Sequence, residues 1–123
     1  GHITTFGGHP VCCAAGLAAL EFILSEGLME QADAKGAQYE RRLAGHPAVR
    51  EIRRTGLLMG VEFGDPALTQ RIVLRAVERG LMTEWFLFRD TAMRIAPPLT
   101  ITPAEIDESC DILLDVLREV TGS

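Results

Sequence analysis

Two stretches of this chain place residues where they could bind anions. The first is Thr4-Thr5-Phe6-Gly7-Gly8-His9-Pro10, directly ahead of a run of small and apolar residues. Pro favours the first helical position, so the run reads as a helix entered at Pro10. The backbone N–H groups at a helix start are unpaired and the helix dipole favours negative charge there. Glycines let the backbone approach a ligand, and the hydroxyls of Thr4 and Thr5 can donate to phosphate oxygens. The same residues also read as a Gly-rich turn into a helix, and the stretch lacks the Lys-Ser/Thr of a P-loop.

The second stretch runs from Arg94 through Pro97-Pro98 to Thr102. A guanidinium on a strand, stiffened by two prolines, suits bidentate binding of a carboxylate. The competing reading is an ion pair with a local acid, Glu84 or Asp90. Other reactive side chains offer less. Cys12 and Cys13 are neighbours on one helix, point about 100° apart, and read as small core hydrophobes. No cysteine or histidine spacing matches a zinc site. His2, His9 and His46 lack a nucleophile at a telling position; His9 can cap its helix and His46 reads as a solvated turn residue. Trp85 and Phe86 read as core or interface. Arg41, Arg42, Arg53 and Arg54 read as solvated faces. Lys35 is the only lysine, predicted on a polar helix face without a setting for carbonyl chemistry.

The elements that position these residues follow from periodicity. A first helix spans Val11 to Leu24, closed by Gly27. Only Glu21 is charged in it, and a helix apolar all round is a buried helix. About 15 residues make a rod of roughly 22 Å, too long for so small a body to cover, so the helix is expected to pack against something outside this chain. A second helix runs from Leu28 to Ala44, with Leu28, Ala32, Gly36, Tyr39 and Leu43 on one face. Val49 to Arg54 and Leu57 to Phe63 read as strands, the latter with Leu57, Met59, Val61 and Phe63 on one side. Asp65-Pro66 starts a third helix ending near Arg79, with Leu68, Ile72, Val73 and Ala76 inward. Leu81 to Leu87 and Ala92 to Ala96 read as strands joined by a turn at Arg89-Asp90-Thr91, with Arg94 facing away from Met93 and Ile95. Thr102-Pro103-Ala104-Glu105 is a capping box for a last helix, and Thr121-Gly122-Ser123 reads as a natural end. The order predicts an α+β layer: about four mostly antiparallel strands with helices on one face.

The composition is that of an ordinary folded domain. The chain has 123 residues, 47% of them hydrophobic and 24% charged, and a net charge of −5. No basic stripe suggests nucleic acid, and no apolar run reaches the ~18 residues of a membrane span. Three cysteines without a signal peptide read as reduced, intracellular and cytoplasmic. The chain opens without Met on a Gly-rich stretch, which reads as a cut end.

Taken together, the segments resemble the C-terminal part of class III aminotransferases, the pyridoxal-phosphate enzymes of fold type I that include ornithine, acetylornithine and 4-aminobutyrate aminotransferases. Four motifs in order carry the resemblance. They are His2-Ile3-Thr4-Thr5-Phe6-Gly7-Gly8-His9-Pro10 with the Cys/Ala-rich helix, Glu26-Gly27-Leu28, Arg54-Thr55-Gly56-Leu57-Leu58-Met59-Gly60-Val61-Glu62, and Arg94-Ile95-Ala96-Pro97-Pro98-Leu99-Thr100-Ile101-Thr102 with the acidic helix after it. The resemblance implies that the chain is the small domain of an enzyme that is α/β by family class, with residues 1–27 an interdomain segment and buried helix at the edge of the large domain, and 28–123 the small domain. It implies that Thr5, with Thr4 beside it, hydrogen-bonds the cofactor phosphate across a homodimer interface, and that Arg94 binds the carboxylate of an amino-acid or keto-acid substrate. The Schiff-base lysine, the aspartate on the pyridine nitrogen and the ring-stacking aromatic of the family lie upstream, and Lys35 does not match that lysine. His9 stands where many members have Asn. On this reading the chain alone turns nothing over. The alternative is a free-standing α+β module that binds amino acids or serves dimerisation.

Overall fold

The computed structural model describes residues 4–122; His2 and Ile3 of the opening motif, and Ser123, lie outside the described residues. The elements run α1 (Pro10–Ser25), α2 (Leu28–Leu43), β1 (Glu51–Thr55), β2 (Leu58–Glu62), α3 (Pro66–Glu78), β3 (Glu84–Phe86), β4 (Arg89–Ile95) and α4 (Pro103–Thr121). The chain divides into two compact units, one ending at Gln31 and the other beginning at Ala32. No single helix among the described residues is long and apolar enough to cross a membrane.

The first unit is organised by α1. Pro10 opens it, and His9 caps it by accepting from the Val11 N–H at 3.3 Å. Gly27, in the left-handed region at φ 58°, ends the turn after it, a conformation that glycine adopts without penalty. None of the residues of α1 is buried. As expected, this chain does not cover the helix: Val11, Leu17, Leu20, Phe22 and Leu24 are each at least half exposed. The physical reason is the one its composition gives, since the chain supplies too little matter to wrap an all-apolar rod.

The second unit is an α+β layer. Its four strands are all antiparallel, in the order β1-β2-β4-β3. One face carries the core, where Met59, Val61 and Met93 meet Tyr39 and Leu43 of α2, Ile72 and Val73 of α3, and Ile106, Cys110, Leu113, Val116 and Leu117 of α4. Leu57, Met59, Val61 and Phe63 are all buried, as expected, but Gly60 and Glu62 between them are buried as well. Asp65 caps α3 by accepting from the Ala67 and Leu68 N–H groups. Thr102 and Glu105 close the capping box on α4. Burial pushes the Cys110 thiol up to about 12, which leaves it an inert core group.

The β3–β4 hairpin departs from expectation. Arg89, Asp90 and Thr91 belong to β4, and the turn is made by Leu87 and Phe88, because Phe86 pairs with Arg89. A register shift between Trp85 and Phe86 makes this short connection possible. Apolar residues occupy the turn and polar ones the strand, the reverse of the usual composition. β3 is also only three residues long. Leu81 leaves the strand to extend the end of α3, its N–H donating to Ala76 O at 2.9 Å.

Several charged groups read as solvated are structural. Arg54, only 19% exposed at its side chain, donates to Glu40 at 2.8 Å and to Asp33 at 2.6 Å, tying β1 to α2. Arg42 bridges to Asp107 and Asp111 of α4. Lys35 donates to the Leu99 carbonyl at 2.7 Å, beside the Pro-Pro segment, rather than lying on a polar face. His46 is also half-buried: Nδ1 accepts from the Ala48 N–H, and burial, then Arg118, lowers its pKa.

Candidate functional site

Thr4 and Thr5 belong to the first unit and Arg94 to the second, and each is described within its own unit. Thr4 O accepts from the Gly7 N–H at 3.3 Å, and Phe6 O from the His9 N–H at 3.1 Å, so the segment folds into successive turns that lead into α1. Gly7 permits this, since a Cβ there would lie 2.6 Å from Thr4 Cγ2. Thr4 and Thr5 are exposed. No described residue hydrogen-bonds their hydroxyls. The Lys35 amine, by contrast, is tied to a carbonyl. Hydroxyls of this kind have the chemistry to donate to a phosphate oxygen.

Arg94 lies on the sheet face opposite the core, as alternation along β4 requires; Met93 is fully buried and Arg94 exposed. Its register neighbours are Gly60 on β2 and Glu84 on β3. Gly60 leaves room for the Phe86 ring, which an added Cβ would meet at 3.2 Å. The Thr83 hydroxyl donates to Arg94 O at 2.6 Å and holds the strand ends together. Beyond the arginine an open groove of about 530 Å³ is walled by Trp85, Phe86, Leu87 and Phe88 and edged by Glu84 and Arg89. Guanidinium and apolar wall together suit a small molecule with a carboxylate and a carbon stem. Arg94 forms an ion pair with Glu84, one of the two local acids that the sequence offered as its partner.

Glu62 was legible only as part of a motif, and its setting is the most constrained of any acid described. It is 5% exposed. It accepts from Arg89 Nε at 2.8 Å, from Arg53 at 3.2 Å and from the Gly64 N–H at 2.9 Å. Burial pushes its carboxyl up, but Thr91, Arg89, the Gly64 N–H and Arg53 outweigh burial and hold it at about 2. It thus fastens β1 and the root of the β3–β4 hairpin to β2. A carboxyl depressed from 4.5 contributes stability that is complete above pH ~4.5 and is lost as pH falls toward 2. Both arginine partners are about half exposed, which limits the effect. Glu62→Gln is expected to lower stability at pH 7 by about 1–2 kcal/mol and to flatten the acid dependence. Urea unfolding at pH 7, 4 and 3 checks this; parallel loss in both proteins would assign the titration elsewhere.

The fold is that of the small domain in fold-type-I transaminases. Residues 1–117 match the family model described as aminotransferase class III. The chain belongs to that family. It is 41% identical to acetylornithine aminotransferase of Caldanaerobacter subterraneus, over 97% of this chain and 30% of that protein. It is 37% identical to ornithine aminotransferase 2 of Staphylococcus aureus, over 97% of this chain and 28% of that protein. Among solved structures, ornithine aminotransferase of Toxoplasma gondii, reported with partial occupancy of PLP at its active site, superposes with a TM-score of 0.81 at 33% identity, covering 98% of this chain and 30% of that one. A Bacillus anthracis aminotransferase superposes at 0.84 with 30% identity, covering 96% and 30%. The chain thus spans about 30% of the length of the curated relatives it matches.

Proposed function

We propose that this chain is the C-terminal part of a pyridoxal-phosphate-dependent aminotransferase that moves an amino group between an α- or ω-amino acid and a keto acid. The observation that carries the reading is Arg94, set between two prolines and the buried Met93 of β4 at the head of a groove with an apolar wall. Family membership supports it. The exposed apolar surface of α1 supports it too, as the face that the rest of an enzyme of the relatives' length would cover. In the same reading residues 1–27 are the interdomain segment and 28–123 the small domain, the enzyme is a homodimer, and its free cysteines are consistent with a cytoplasmic enzyme.

Pyridoxal phosphate, when bound, supplies an electron sink for bond breaking beside the amino group. This chain's residues bind and orient. The Thr5 hydroxyl, assisted by Thr4, donates to a phosphate oxygen across the dimer interface. Arg94 takes the substrate carboxylate in a two-pronged contact, which fixes the rotation of the carbon that carries the amine. Neither task moves a proton, and Lys35 stays with Leu99 O. Amino transfer is therefore expected from the full-length protein and not from this chain by itself, and Lys35→Ala is expected to leave the full-length rate within about twofold. An assay of keto-acid formation with both proteins tests this; turnover by the isolated chain, or its loss on changing Lys35, would overturn it.

A further inference from the structure

The second unit holds a pocket of about 100 Å³ that the carboxylate reading leaves unused. It lies where α2 and α4 meet the end of β4, on the face of the sheet opposite the Arg94 side chain. Its deep wall is made by Tyr39, Met93 and Leu113, each at most 4% exposed. Leu81 and Ile95 continue the apolar wall, and Met82, 94% exposed, stands at the rim. Three hydroxyls border the pocket, and hydrogen bonding assigns their protons. Thr83 donates to Arg94 O at 2.6 Å, and Ser109 donates to Ile106 O at 2.8 Å. With the serine proton committed, the Tyr39 hydroxyl is the donor in the 2.8 Å bond to Ser109 Oγ. Burial pushes the Tyr39 phenol up, so it keeps that proton at neutral pH. All three protons are used, and these hydroxyls offer a guest only oxygen lone pairs.

We infer that this pocket binds a small neutral molecule that carries a hydroxyl on a compact apolar body, with the guest hydroxyl donating to Tyr39 or Ser109. The size suits one small ring, since an apolar cavity of about 150 Å³ takes up benzene. Water suits the space less well. A buried water makes about three hydrogen bonds, whereas the Tyr39 and Ser109 oxygens sit together at one point and the side chains of Leu81, Met93, Ile95 and Leu113 offer none. A guest hydroxyl makes its one donor bond there and lays its carbon body against those side chains, which adds hydrophobic stabilisation. A nitrile or carbonyl of the same size would set lone pair against lone pair. A carboxylate would give up its hydration without gaining a hydroxyl donor. The wall therefore selects donors over acceptors and neutral guests over anions.

The test uses the full-length protein that carries this chain, with phenol as the probe and benzonitrile as a ring of similar size that only accepts. Ligand-detected NMR titration gives Kd for both probes against the wild type and two variants. Ser109→Met fills the pocket. Tyr39→Phe combined with Ser109→Ala removes both oxygens as a pair, a change that is nearly neutral when the apolar replacements keep the shape; thermal unfolding checks that both variants fold. One hydrogen bond predicts phenol about three- to tenfold tighter than benzonitrile in the wild type. The preference is expected to vanish in the double variant, and phenol binding is expected to be lost in Ser109→Met. A preference that survives in the double variant overturns the inference, as does phenol binding that Ser109→Met leaves unchanged. If a variant does not fold, wild-type crystals soaked in phenol decide the matter. A ring between Met93 and Leu113 with its oxygen on Tyr39 or Ser109 supports the inference, and ordered water alone in the pocket overturns it.

Discussion

Replacing Arg94 with alanine in the full-length enzyme is expected to raise KM for carboxylate-bearing substrates by about 10- to 100-fold, with a smaller change in kcat. A hydrogen-bonded contact between ions contributes roughly 1.5–3 kcal/mol, and uniform loss of binding shows in KM. The fold has little stake in this side chain. It is 45% exposed, its ion-pair partner is also exposed, and the neighbouring core positions Met93 and Ile95 face the other way. The thermal midpoint should therefore stay within a degree or two of the wild type. Arg94→Lys keeps the charge but loses the two-pronged geometry, and should recover only part of the loss. Steady-state kinetics with a carboxylate substrate and an amine lacking the group separates the cases. Equal losses on both would mean that Arg94 supports the site rather than the substrate.

Gly36→Ala is expected to destabilise the second unit by about 3 kcal/mol, although it replaces a poor helix former with the best. The cause is a close approach of backbones. An added Cβ on Gly36 would lie 2.0 Å from the Gly56 carbonyl oxygen and 2.9 Å from its carbon. Gly56 cannot retreat, since it turns between β1 and β2 with φ 55° and faces Ala32 of the same helix. Gly16→Ala provides the control: it lies inside α1 with nothing within 4 Å of its added Cβ. That change should be neutral or stabilise by up to about 1 kcal/mol. Chemical unfolding of both variants checks the contrast. A mild effect at Gly36 would mean that the helix shifts away from the hairpin at little cost.

The sequence carried the elements whose signals are local. Asp65-Pro66 and the Thr102–Glu105 box name a cap and its partner a few residues apart, and both appear in the structure. The face of Arg94 followed from alternation alone. The missed features depend on partners distant in sequence. Gly36 read as one member of an apolar stripe because Gly56, its neighbour in space, lies on another element. Arg54 read as solvated because Asp33 and Glu40 reach it from α2. The hairpin turn was misplaced because Leu87 and Phe88 carry no turn composition, and only the register against Arg89 shows where the chain reverses. For the candidate site, Arg94 was legible as a type of residue in a stiff setting, whereas its pairing with Glu84 remained one of two alternatives until the ladder was aligned.

The two rims of the sheet bear on how this polypeptide behaves during handling. One rim, β1, carries Glu51, Arg53 and Arg54, and the other, β3, is too short to template a foreign strand. Sheets guarded in this way resist edge-to-edge growth. Sticking of the isolated polypeptide would then arise from the greasy rod at its front, and detergent or a solubilising fusion placed there, rather than any redesign of the strands, is what would keep it dispersed.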